Sequence, residues 1–147
     1  MRVGRAALPL LFVLALAACG DHRPPASPRR MAVTPPVGMV VEGMASWYGP
    51  GYHGRRTSNG EVFDQDDLTA AHADWAFGTR VKITLLSTGR SVVVRVNDRF
   101  GNHKRRLIDV SRGAARRIGL IGPGTGRVRL EVVETPASDS TWLSNKR

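Results

Sequence analysis

The sequence predicts a small, mainly β domain closed into a barrel and carrying one short helix. Three observations support this. Apolar residues alternate in several short runs, each bounded by turn residues. Only one stretch, around Ala114 and Ala115, has helical spacing instead. The foldable part spans about 90 residues, too few for a large sandwich but enough for a closed barrel.

The elements follow in chain order. Val41 to Tyr48 reads as a first strand, stopped by Gly49-Pro50-Gly51. Arg80 to Leu85 places Val81, Ile83 and Leu85 on one face. Ser87-Thr88-Gly89-Arg90 is a hairpin turn. Ser91 to Asp98 then sets Val92, Val94 and Val96 on one face, with Arg95 and Asn97 opposite. Ser111 is the expected N-cap of the helix, Ala114, Ala115 and Ile118 are its apolar side, and Gly119 is its stop. Arg116 and Arg117 fall in its last turn, where cations favour the helix dipole. Arg127 to Val132 alternates again, with Val128, Leu130 and Val132 inward.

Composition narrows the class. The 147 residues hold 22 Lys and Arg against 12 Asp and Glu, a formal charge of +10, and one cysteine. One thiol excludes an internal disulfide and a thiolate zinc site. The charge suggests a polyanionic partner. Residues 1–18 read as a secretory signal: Arg2 and Arg5 precede an uncharged, almost wholly apolar run from Ala6 to Ala18. That run is shorter than the roughly 20 residues of a comfortable membrane span. It ends in Leu16-Ala17-Ala18-Cys19-Gly20, which resembles a bacterial lipobox with Cys19 as the lipidated residue. The position after Cys19 holds Gly20, not Asp, which points to the outer membrane, facing the periplasm. Processing would leave 20 basic against 12 acidic side chains, a formal +8. An exported chain does not meet cytoplasmic nucleic acid, so anionic lipid and the cell wall remain as partners. Residues 19–41, rich in Pro and Arg, read as a tether, 42–134 as the barrel domain and 135–147 as a disordered tail.

Several residues are candidates for chemistry. Asp98 continues the period-2 face of Val92, Val94 and Val96, so its carboxyl is aimed at the apolar interior or its rim. Desolvation there would suit a general acid; the alternative is a structural aspartate capping the turn at Arg99-Phe100-Gly101. His72 lies in phase with Leu68 and Ala70, either as a polar group tuning a carboxylate or as a structural histidine. Glu61 and Asp64 lie in a loop-like stretch and are either partners of Asp98 in a two-carboxylate site or solvated loop residues. Trp47 and Tyr48 are adjacent on a strand, so only one is expected to line a given groove, as a ring for a sugar face; the alternative is a core aromatic beside a surface tyrosine. His53 and His103 stand isolated in polar turns. No HxxxH spacing, phosphate-binding loop or GxSxG elbow is present, and no metal or cofactor is expected.

Together these stretches resemble the rare lipoprotein A (RlpA-like) family. The matching segments are Ala45-Ser46-Trp47-Tyr48-Gly49, His53 through Asp64, Leu68-Thr69-Ala70-Ala71-His72, Phe77-Gly78-Thr79-Arg80-Val81, Val94 through Arg99, and Ile108-Asp109-Val110-Ser111 with Ala114-Ala115. The resemblance implies a six-stranded double-psi β-barrel, related to expansins and to some lytic transglycosylases. It implies peptidoglycan as substrate, with cleavage of glycan strands stripped of stem peptides. The residues tied to that activity fall on Asp98, Glu61 and His72. Asp98 is the expected acid for the glycosidic oxygen, with closure of a 1,6-anhydro ring by the MurNAc C6 hydroxyl. Glu61 and His72 position the sugar or support proton transfer. Trp47, Tyr48, Asn59, Asn97 and Arg99 are the candidates for substrate contact. Division or cell-wall proteins are candidate partners.

Two departures stand out. After Asn97-Asp98-Arg99 the family usually continues Gly-Pro-Phe, whereas here Phe100-Gly101-Asn102-His103-Lys104-Arg105-Arg106 follows, a more basic loop beside the expected acid. Many members carry a C-terminal SPOR domain, for which the 13 residues after Glu134 are too few. The first functional expectation is a lytic transglycosylase. The second is a non-catalytic peptidoglycan-binding envelope lipoprotein, and a third, weaker one is binding to anionic lipid.

Overall fold

The computed structural model describes residues 32–101 and 105–137. The expected signal peptide, Cys19, most of the tether, His103 and the end of the tail with Trp142 lie outside the described residues. Six strands and one helix follow in order: β1 Val40–Tyr48, β2 Thr69–Ala71, β3 Arg80–Leu85, β4 Ser91–Asp98, β5 Ile108–Ser111, α1 Arg112–Ile118 and β6 Thr125–Glu134.

The strands close in the order β1-β5-β2-β4-β3-β6. Two pairs, β1 with β5 and β2 with β4, run parallel, and the other neighbours run antiparallel. This is the expected six-stranded double-psi β-barrel. Closure pairs both sides of every strand, so no long edge is left to recruit another chain. The interior is built from the alternating residues of β3, β4 and β6: Val81, Ile83 and Leu85, then Val92, Val94 and Val96, then Val128, Leu130 and Val132, all buried. β2 and β5 have no such alternation, because every residue in them is buried. Strands of three and four residues covered on both faces give no period for the sequence to display.

The helix forms where the sequence expects it. Ser111 caps it by accepting the Ala114 N–H at 3.3 Å, and Gly119 ends it with φ 84°, a left-handed conformation that glycine adopts without strain. Its buried side, Gly113, Ala114, Ala115 and Ile118, packs on the barrel. Residues ahead of β1 are also held: Val33 N–H donates to Asp74 O, and Ala76 N–H donates to Val33 O.

Candidate functional site

The site lies across three neighbouring strands. Ala71 of β2 is in register with Asp109 of β5 on one side and with Asp98 of β4 on the other. At about 4.8 Å per strand step, the two aspartate backbones stand roughly 10 Å apart. Between them Ala71 offers only a methyl group, and a groove of ≈ 470 Å³ opens above it. Trp47, Tyr48 and Tyr52 line one part of the groove, and Arg99, Phe100, Gly101 and Arg106 line another.

Asp98 reaches the rim, not the barrel interior, for a local reason. Alternation along β4 holds through Val96, but the pairing with β2 shifts between Ala70 and Ala71, so that Asn97 and Asp98 together occupy one step of the partner. Asn97 is buried there and Asp98 half-buried, which reverses the order along the strand. Such bulges re-aim side chains beside binding sites. Asp98 Oδ1 accepts from the Ser58 N–H at 2.8 Å, the Ser58 hydroxyl at 2.7 Å and the Arg99 N–H at 2.7 Å. Among the described residues no donor is placed on Oδ2, which leaves that oxygen for a ligand.

Asp109 is the second carboxylate of the groove. It is buried, accepts from Ser46 Oγ at 2.6 Å, and pairs with Arg106 at 3.3 Å. Arg106 also donates to Ser46 Oγ at 2.7 Å, so the three side chains form one unit. Tyr48 stands near both carboxylates. Its ring stacks on Phe63 at 4.5 Å, and its hydroxyl is buried with no hydrogen-bond partner among the described residues. Burial, followed by the charges of Asp98 and Asp109, pushes its ionisation well above the ordinary phenol range. The expectation that only one of Trp47 and Tyr48 lines the groove is corrected, because the groove wraps the end of β1 and takes in both. The Tyr48 ring is already covered by Phe63, so Trp47 and the exposed Tyr52 are the rings open to a sugar face.

Glu61, Asn59 and Asn97 come together away from the groove lining. The Glu61 carboxylate takes two bonds from Arg95, at 2.7 and 2.9 Å, one from Asn97 at 3.0 Å and one from Asn59 at 2.8 Å. Its hydrogen bond from Arg95, then that from Asn97, hold its carboxyl down at about 2. A carboxylate so occupied is a poor proton donor near neutrality. Asp64 is exposed and pairs loosely with His53 at 3.7 Å, away from the groove.

His72 is also placed outside the groove lining. Its ring is buried, stacks on Trp75 at 4.2 Å, and accepts at Nδ1 from the Trp75 N–H at 3.0 Å and the Asp74 N–H at 3.2 Å. Burial lowers its protonation to about 4. Both backbone donors need Nδ1 unprotonated, which fixes the orientation of the neutral ring. Arg99 stays at the groove, with its guanidinium 3.8 Å over Phe77 and donating to His72 O.

Sequence reasoning did not single out Asp109, Arg106, Ser46, Ser58 or Tyr52. The usable sign was a charged residue within the short strand Ile108-Asp109-Val110-Ser111, every residue of which is buried. Among the described residues no group of three or more His, Cys, Asp or Glu is placed to hold a metal ion.

Comparisons with known proteins agree with this geometry. Residues 40–130 match a family model described as Lytic transglycolase. A protein from Synechocystis sp. named probable endolytic peptidoglycan transglycosylase RlpA is 60% identical over 95 residues, which is 65% of this chain and 30% of that protein. The Campylobacter jejuni endolytic peptidoglycan transglycosylase RlpA is 51% identical over 104 residues, 71% of this chain and 38% of that one. The chain thus matches about a third of the length of these relatives. Among solved structures, an expansin from Clavibacter michiganensis superposes with a TM-score of 0.55 at 23% identity, covering 68% of this chain and 53% of that one, and this shows a shared fold. With a closed double-psi barrel, two carboxylates across one groove and this match over most of the barrel, the chain belongs to the Lytic transglycolase family of RlpA-like proteins.

Proposed function

We propose that this chain is an endolytic peptidoglycan lytic transglycosylase, cleaving MurNAc–GlcNAc bonds of stem-peptide-poor glycan strands and leaving 1,6-anhydro-MurNAc ends. The observation that carries the reading is the groove, where Asp98 keeps one oxygen free across Ala71 from Asp109. The names of the relatives support the same reaction.

In this mechanism Asp98 Oδ2 gives its proton to the glycosidic oxygen as the bond from MurNAc C1 breaks. The donors on Oδ1 hold the carboxyl in place, with Oδ2 toward the groove. That carboxylate takes the proton of the C6 hydroxyl while O6 bonds to C1, which closes the anhydro ring and restores the acid. No water is consumed. Asp109, fixed by Ser46 and Arg106, is the polar group of the groove across Ala71 from Asp98. Trp47 and Tyr52 offer rings to the apolar sugar faces.

We infer further that the protein works in the bacterial envelope, lipid-anchored through Cys19 to the outer membrane and facing the periplasm. The apolar run before Cys19 supports this. Incorporation of labelled palmitate, lost in Cys19→Ser, tests the anchor.

The enzymatic reading is tested by incubating glycan strands free of stem peptides with the protein and analysing the ends by mass spectrometry. New 1,6-anhydro-MurNAc ends are expected. Sedimentation with sacculi without any new ends would support the non-catalytic binder instead.

A further inference from the structure

We propose that Ser58 is a positioning residue for Asp98, and that Glu61 acts on the reaction through Ser58, by fastening its loop to the strand that carries Asp98. The inference rests on the reading of Asp98 as the acid.

The loop 57–61 is a compact clip. Thr57 N–H donates to Glu61 O, Gly60 N–H donates to Thr57 O, and Asn59 Oδ1 accepts from both the Thr57 hydroxyl and the Glu61 N–H. At its end the Glu61 carboxylate is gripped by Arg95 and Asn97, both on β4 and three and one residues before Asp98. Asn59 N–H adds a bond to Asn97 O at 3.3 Å. With the clip docked this way, Ser58 delivers two of the three hydrogen bonds on Asp98 Oδ1.

The consequence is orientation. Two donors from Ser58 and one from the Arg99 backbone fix the carboxyl plane, so the free oxygen keeps one direction toward the groove. Neither Ser58 nor Glu61 is among the residues that line the groove. The other charged or titratable groups around Asp98 are Tyr48 from β1, Asp109 and Arg106 across the groove, Arg99 beside it, Glu61 with Arg95 behind the clip, and His72, whose Nδ1 is turned to backbone donors. Removing the exposed Ser58 hydroxyl also takes away an acceptor of the Arg99 N–H at 3.2 Å, while that N–H keeps its 2.7 Å bond to Asp98 Oδ1.

The test is steady-state cleavage of stem-peptide-free glycan by the full chain. Ser58→Ala should lower kcat about 10-fold with KM little changed, because the carboxyl loses a donor that fixes its direction. Ser58→Thr, which keeps the hydroxyl, should restore kcat. Glu61→Ala should cost more, since it also frees the Ser58 N–H. The double variant should then be no worse than Glu61→Ala alone. Wild-type kcat in Ser58→Ala, or additive losses in the double variant, overturn the proposal when Asp98→Asn is inactive. An active Asp98→Asn instead overturns the proposed role of Asp98 itself.

Discussion

Nδ1 of His72 is spent on two backbone donors, while the Tyr48 hydroxyl has no hydrogen-bond partner among the described residues. These two polar side chains, both buried, lead to opposite expectations. A buried hydroxyl without a hydrogen bond gains nothing from its polarity, so Tyr48→Phe should leave thermal stability unchanged or raise it slightly. The Phe63 stack survives that change. A fall in Tm beyond a few degrees would show that the hydroxyl has a partner in solution. Asp98 could be singled out in the sequence because it follows the alternating face of β4, although the shift in pairing turns it to the rim. The contacts of the His72 ring could not be read, because phase along a strand does not say which ring nitrogen meets the backbone. Asp109 was hidden for a third reason: in a fully buried strand a functional carboxylate and a core polar residue give the same pattern.

At the scale of elements, the site depends on small residues that allow close approach. A methyl group added to Gly113 would lie 2.2 Å from the Asp66 carbonyl oxygen, and the Gly113 N–H already donates to Gln65 O at 2.8 Å. Alanine is the better helix former by about 1 kcal/mol, yet here overpacking against rigid backbone outweighs that preference. Gly113→Ala should therefore destabilise the protein by about 1–3 kcal/mol, read as a lower midpoint in urea. A more stable variant would mean that the 64–67 loop moves aside freely. The strands β3 and β4 and the helix, with both its caps, could be read from sequence, since each shows its own period or its own stop. The shift in β4 pairing at Asn97 could not be read, because it arises from the match with β2.

The whole molecule couples fold and pH through two groups that titrate in different windows. His72 is lowered from 6.5 to about 4, chiefly by burial. The unfolded chain therefore binds the proton first as pH falls, so stability is full above about 6.5 and is lost toward 4. The loss is on the order of 2–3 kcal/mol. Glu61, lowered from 4.5 to about 2, adds a smaller loss below that window, since the group is largely exposed and screened. Tm should fall between pH 7 and pH 4 in the wild type and fall less in His72→Phe, whose stability is lower throughout but lacks this titration. Equal slopes would remove His72 from the account. Closure of the barrel also sets the site, because only the order β5-β2-β4 brings Asp109, Ala71 and Asp98 level with one another. The most direct test of the groove as an active site is the count of 1,6-anhydro-MurNAc ends released from stem-peptide-free glycan by the wild type and by Asp98→Asn, both shown to be folded. The account predicts steady release by the wild type and a loss of at least about 100-fold in the variant; equal release by both would contradict it.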